Sequence, residues 1–234
     1  PDGRHLAVTV QVRGKDNLVV LERETMRVLK VNQLPGDQSV GQFWWSGPER
    51  LVFTGQIKIG SFAAPLGTGE FYAVNVDGTQ VRNFVGRSVG QGRATERAKQ
   101  LDGNQMVSML DPTPDDDRHI LMTLSTFGRE EGHPAQVVQV DTFTGARRVL
   151  LRGPQGNCGF ALGNDRSVRF ANCGMPDRSS RVYIREGDDE AYSWRLINDS
   201  AHIGISLIPL PGTEIESGRN RVELVLQSRD PQID

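Results

Sequence analysis

Short runs of alternating apolar and polar residues follow one another along almost the whole chain, each bounded by Gly, Pro, Asn or Asp. Residues 6–12, 71–76 and 119–124 are clear examples. A hydrophobic period of two predicts β-strands, and no window of twelve or more residues has the amphipathic pattern of a helix. The sequence therefore predicts an all-β chain built from many short strands.

The turns between these runs are of two alternating kinds. One kind, at residues 1–4, 46–49, 114–117 and 163–166, is expected to join an inner strand to the next strand outward. The other kind, at residues 76–79, 140–145 and 186–189 with a weaker copy at 22–25, is expected to join two outer strands. Asp and Gly suit both kinds, because they tolerate positive φ and cap the turn locally.

Turns of the first kind recur at intervals of roughly 45 to 67 residues, and the shorter intervals match the period of four-stranded propeller blades. The chain is therefore predicted to be a partial β-propeller of about four and a half blades. The expected blades lie at about 1–34, 38–86, 104–152 and 157–198, with a partial blade at 201–228. The expected innermost strands are 40–44, 105–109, 159–162 and 203–207. A β-sandwich is the structural alternative, although the repeated order of turn types favours the propeller.

Charge and hydropathy exclude several kinds of partner. The 234 residues carry 27 basic and 29 acidic side chains, a formal net charge of −2, which excludes a strongly basic nucleic-acid surface. The apolar runs are too short for a membrane-spanning helix. We therefore expect neither a nucleic-acid partner nor membrane insertion. Because the chain starts inside a turn sequence at Pro1, without an initiator Met or a signal peptide, we expect it to be a piece of a longer protein.

Several segments carry a resemblance to a known family: residues 1–7, 43–45 with 50–53, and 68–79, supported by 140–145 and 192–196. Together they resemble the N-terminal β-propeller of prolyl-oligopeptidase-type (S9) serine peptidases, including the dipeptidyl and acylaminoacyl peptidases. The resemblance covers most of the chain. Pro-Asp-Gly and Asp-x-x-Thr-Gly also occur in TolB-like binding propellers, whereas the Tyr-Ala-Val-Asn-x-Asp-Gly hairpin at 72–78 favours the peptidases.

The resemblance implies a role without catalysis of its own. In that family the catalytic Ser, Asp and His lie in a C-terminal α/β-hydrolase domain, and the propeller limits access to them by size. The implied partners are that hydrolase domain of the same polypeptide and a peptide substrate, and no cofactor is implied. A TolB-like propeller that binds a protein or peptide is the main alternative. A propeller enzyme with its site in the central tunnel is a third.

One serine fits a nucleophile motif. Residues 86–90 read Gly-x-Ser-x-Gly around Ser88, the elbow that α/β-hydrolases place between a strand and a packed helix. The following residues lack the apolar face that such a helix needs. We therefore interpret the segment as a Gly-rich loop between blades.

The histidines give no metal-ligand spacing. His119 follows three aspartates, 115–117, but the spaced ligands and final Glu of a calcium loop are missing, so an acidic turn is the preferred interpretation. We expect no metal site.

Glu130 and Glu131 form the most interesting acidic pair. In dipeptidyl peptidases a propeller Glu pair binds the free amino terminus of the substrate, because an ammonium in a partly dry cavity needs compensating negative charge. The aromatic residues that surround that pair in the family are absent here. The family's role is therefore not carried over to this pair, and an exposed loop pair is the preferred interpretation, with Glu130 and Glu131 kept as candidate substrate-binding residues.

Cys158 and Cys173, the only two cysteines, flank a turn. If Asp165 and Arg166 form a two-residue loop, paired positions sum to 331, and 158 + 173 = 331. The register then places the cysteines opposite each other at a hydrogen-bonded position, within disulfide distance. Two small buried thiols are the alternative. The bridge would fit a periplasmic or secreted location, which we favour over the cytoplasm.

Overall fold

The structure, a computed structural model, describes residues 2–60, 64–86, 105–112, 116–126, 133–187, 191–205, 207–209 and 225–226. These residues form 17 strands and one short helix. No helix among them is long and apolar enough to span a membrane.

The strands are organised into antiparallel sheets whose members follow one another in the sequence. Sheet 1 has the order β1 (His5–Val12), β2 (Lys15–Glu22), β3 (Val28–Asn32). Sheet 2 has the order β4 (Ser39–Gly47), β5 (Arg50–Ile57), β6 (Leu66–Asn75), β7 (Arg82–Val85). Sheet 3 has the order β8 (Gln105–Asp111), β9 (His119–Thr126), β10 (Gln136–Asp141), β11 (Arg147–Arg152). Sheet 4 has the order β12 (Cys158–Leu162), β13 (Val168–Gly174), β14 (Ser180–Gly187), β15 (Tyr192–Asp199). A small fifth sheet pairs β16 (Leu207–Ile208) with β17 (Val225–Leu226).

This order confirms the predicted fold class. Three four-stranded meanders in sequence order, preceded by a three-stranded one, are the blade organisation of a partial β-propeller. The first strands of sheets 2, 3 and 4 each lie at one edge of their sheet.

The expectation of a strand starting at residue 203 is wrong. A single helical turn, α1 (Ser200–Ile203), follows β15 directly. Its start is fixed by Asp199, whose side chain accepts a hydrogen bond from Ala201 N, and its end by Gly204, whose φ of 68° places it in the left-handed region. Two capping residues therefore form a turn that is too short to give a helical period in the sequence.

The chain divides into two compact units, each with its own core. The first comprises Pro1–Gly103, Asp111–Leu121 and Gln139–Arg148, and the second comprises Asn104–Leu110, Met122–Val138 and Val149–Asp234. In the first unit, Leu18 and Val20 of β2 pack against Leu51 and Phe53 of β5 and Val74 of β6. All five are at most 3% exposed, so this contact buries apolar surface between sheets 1 and 2.

The core of the second unit joins strands of sheets 3 and 4. Val137 of β10 and Leu151 of β11 pack against Val168 of β13, with Phe160 and Trp194 beside them. The central strands contain consecutive buried residues, such as Phe170 and Ala171 of β13, both 0% exposed. Burial of neighbouring residues means that both faces of such a strand are covered, because successive side chains point to opposite faces.

Asp-x-Ser and Asp-x-Thr turns close three of the hairpin connections. In each, one aspartate oxygen accepts two bonds from the residue two positions later, one from its N–H and one from its hydroxyl. The three pairs are Asp77 with Thr79, Asp165 with Ser167, and Asp177 with Ser179. Bonds to the ionised carboxylate, first from the hydroxyl and then from the N–H, lower the pKa of all three aspartates, that of Asp165 to about 2.

These turns predict acid-sensitive stability. A folded-state pKa below the ordinary Asp value of about 4 stabilises the fold above that pH, and the stabilisation is lost as the pH falls toward the folded pKa. Asp165→Asn keeps the acceptor oxygen but removes the charge. We expect wild type to melt at a higher temperature than Asp165→Asn at pH 5, and the difference to shrink steadily as the pH falls toward 2, where the carboxyl is half protonated. Circular-dichroism melting curves measure this, and a difference that is independent of pH would contradict it.

Candidate functional site

The turns that precede β1, β5 and β9 share one backbone contact. In each of them a carbonyl oxygen accepts a hydrogen bond from the residue that follows the next strand but one, which is β2, β6 or β10. Arg23 N donates to Arg4 O at 2.9 Å, Val76 N to Glu49 O at 3.0 Å, and Thr142 N to Arg118 O at 3.0 Å. An arginine lies at the acceptor in two of these turns, Arg4 and Arg118, and directly after the acceptor in the third, where Arg50 follows Glu49. We call these the arginine turns.

Arg50 is the buried member of the arginine turns, with only 2% of its surface exposed. Its Nε donates to Thr142 Oγ1 at 2.9 Å, and its Nη2 donates to Thr142 O at 2.7 Å. Its Nη1 donates to Asn75 Oδ1 at 2.7 Å, and both Nη atoms lie 3.4 Å from Gln80 O. One guanidinium therefore ties the hairpin between β6 and β7 to the hairpin between β10 and β11.

The guanidinium of Arg50 also stacks on an aromatic ring. Its Cζ lies 3.7 Å from the centre of the Phe143 ring, within the range of a cation–π interaction. Burial lowers the pKa of Arg50 to about 10, and the nearby Asp141 opposes this shift. Arg50 consequently stays charged at neutral pH, and its charge is spread over carbonyl oxygens and a ring face.

Arg118 presents its charge at the surface. Its side chain is 52% exposed, and its Nη2 lies 2.7 Å from Asp141 Oδ2. Burial raises the pKa of Asp141. The hydrogen bonds that its carboxylate accepts from Arg118, Phe143 N and Thr144 N lower this pKa by more, so that it lies below the usual value for aspartate. This ion pair anchors an exposed guanidinium beside the Phe143 ring, 5.4 Å from its centre.

The acidic turn before β9 makes bonds within itself. Asp116 accepts hydrogen bonds from Arg118 N and His119 N, and its Oδ2 lies 2.7 Å from His119 Nδ1. Among the described residues, no group of three or more His, Cys, Asp or Glu side chains is arranged to hold a metal ion. The charges of the arginine turns are thus held in contacts within the chain, with the Phe143 ring beside two of them.

The structure brings Cys158 and Cys173 together. They are direct partners in the β12–β13 ladder and form a disulfide with an S–S distance of 2.01 Å and a Cα–Cα distance of 4.0 Å. They are 2% and 0% exposed and pack against Ala135 and Ala171, with Trp194 beside them. The bridge is therefore an internal link between the first two strands of sheet 4.

The expected two-residue loop at Asp165 and Arg166 is wrong. Gly163 N donates to Ser167 O, so the loop contains the three residues between them, and Arg166 has a φ of 61°. The register then shifts between Ala161 and Leu162 and restores a sum of 331 at the cysteines. A three-residue loop with one residue in the left-handed region, followed by a bulge, is a common alternative to the two-residue turn.

The same bulge changes the kind of position that the cysteines occupy. Gly174 N donates to Asn157 O at 2.9 Å, which makes these two residues a hydrogen-bonded pair. Cys158 and Cys173, one step along the ladder, are therefore a non-hydrogen-bonded pair, in agreement with their short Cα–Cα distance. The expected hydrogen-bonded position is wrong because the count outward from the turn missed one bulged residue.

The other sequence candidates fall outside the described residues. Glu130 and Glu131 lie there, and so do Ser88 and all of the elbow-like segment except Gly86. The network around Arg50 was missed by the sequence reasoning. An arginine that opens the strongly apolar run Leu51-Val52-Phe53 was the available signal, because a charge placed there needs buried partners.

Comparisons with known proteins give no family. The sequence matches no protein-family model and no curated protein. Among solved structures, a complex of KlAtg21 with the coiled-coil of AgAtg16 matches with 12% identity and a TM-score of 0.38, covering 84% of this chain and 53% of that one. TolB from Acinetobacter baumannii matches with 12% identity and a TM-score of 0.25, covering 85% of this chain and 53% of that one. The chain spans about half the length of these structures, and at such scores neither likeness bears on function.

Removing the disulfide is expected to destabilise the second unit. The bridge closes a loop of 15 residues, for which chain entropy predicts a loss of up to about 3 kcal/mol in the free energy of unfolding. Urea unfolding of the Cys158→Ala/Cys173→Ala double variant, compared with wild type with and without reductant, measures it. Thiol titration of denatured, unreduced wild type should find no free thiol. Two free thiols per chain would contradict the bridge.

Proposed function

We propose that this chain is the non-catalytic propeller part of an S9-type serine peptidase. In this proposal it limits access to an α/β-hydrolase domain of the same polypeptide and docks on that domain. Its partners would be the hydrolase domain and a peptide substrate. A TolB-like propeller that binds a protein or peptide is the alternative.

The observation that carries the proposal is the position of the segments that resemble the family. The Pro-Asp-Gly-Arg segment precedes β1, residues 50–53 open β5, and residues 140–145 form the hairpin after β10. These are the places where the arginine turns meet the hairpin turns. The resemblance thus rests on residues that have structural roles in the blades, and these roles support a propeller of this type.

The buried disulfide supports a periplasmic or secreted location. Disulfides persist in oxidising compartments, and the cytosol keeps most thiols reduced. The bond between Cys158 and Cys173 lies within the packed core of sheet 4, where it contributes to the fold. We therefore propose an oxidising compartment for the mature protein.

The absence of catalysis is tested with the chain alone. We expect no hydrolysis of aminoacyl or peptidyl chromogenic substrates and no labelling by a serine-directed fluorophosphonate, because the family places its nucleophile in the hydrolase domain. Gel fluorescence after labelling measures this, with Ser88→Ala as the matched variant. Labelling that disappears in Ser88→Ala would contradict the proposal and make the elbow-like serine a nucleophile.

Gating is tested by adding the chain to the α/β-hydrolase domain that the proposal places in the same polypeptide. A size filter should slow the hydrolysis of long polypeptides and leave that of dipeptide substrates unchanged. An equal effect on both substrates, or an effect on neither, would contradict gating and favour the binding propeller.

A further inference from the structure

We draw no further inference here: the strongest candidate, the pair of exposed apolar side chains Ile59 and Leu66 at the connection between β5 and β6, carries none because nothing in the described part of the chain shows what covers it.

Discussion

The buried guanidinium of Arg50 is the interaction on which the arrangement of the hairpins in the first unit depends. It donates to Thr142 O, Thr142 Oγ1 and Asn75 Oδ1, and lies near Gln80 O, within a region closed to water. Buried carbonyl oxygens without donors are costly, and so is a buried charge without partners. The guanidinium and the oxygens that it bonds therefore require each other, and their contact holds together two hairpins that are about 65 residues apart in sequence.

The backbone bond of the arginine turns recurs, but the side chains at these positions do different things. Arg4 is 66% exposed and pairs with Glu49, Arg118 is 52% exposed and pairs with Asp141, and Arg50 is buried. Arg4 and Arg118 carry the accepting carbonyl of their turns, whereas Arg50 follows the acceptor Glu49, and the neighbouring elements decide what each arginine contacts. Exposed members gain little from an ion pair in water, whereas removing the buried member leaves its buried partners without donors and costs more.

The period of two and the alternating turns were sufficient to predict the all-β class and the order of strands within the sheets. These two patterns failed where a single residue changes the local backbone conformation. Arg166 in the left-handed region makes the loop before β13 one residue longer than expected, and Asp199 with Gly204 caps a helical turn that no periodicity reveals. The role of Arg50 depends on Thr142, 92 positions away, and no local pattern contains that information.

A double-mutant cycle between Arg50 and Thr142 tests the account most directly. Arg50→Met should lower the free energy of urea unfolding by at least about 2 kcal/mol, because it leaves buried acceptors without donors. Arg4→Met, at an exposed member of the arginine turns, should cost less than about 1 kcal/mol. Combined with Thr142→Ala, Arg50→Met should show a coupling energy of at least about 1 kcal/mol. Additive effects of the two substitutions, or equal losses at Arg4 and Arg50, would contradict the account.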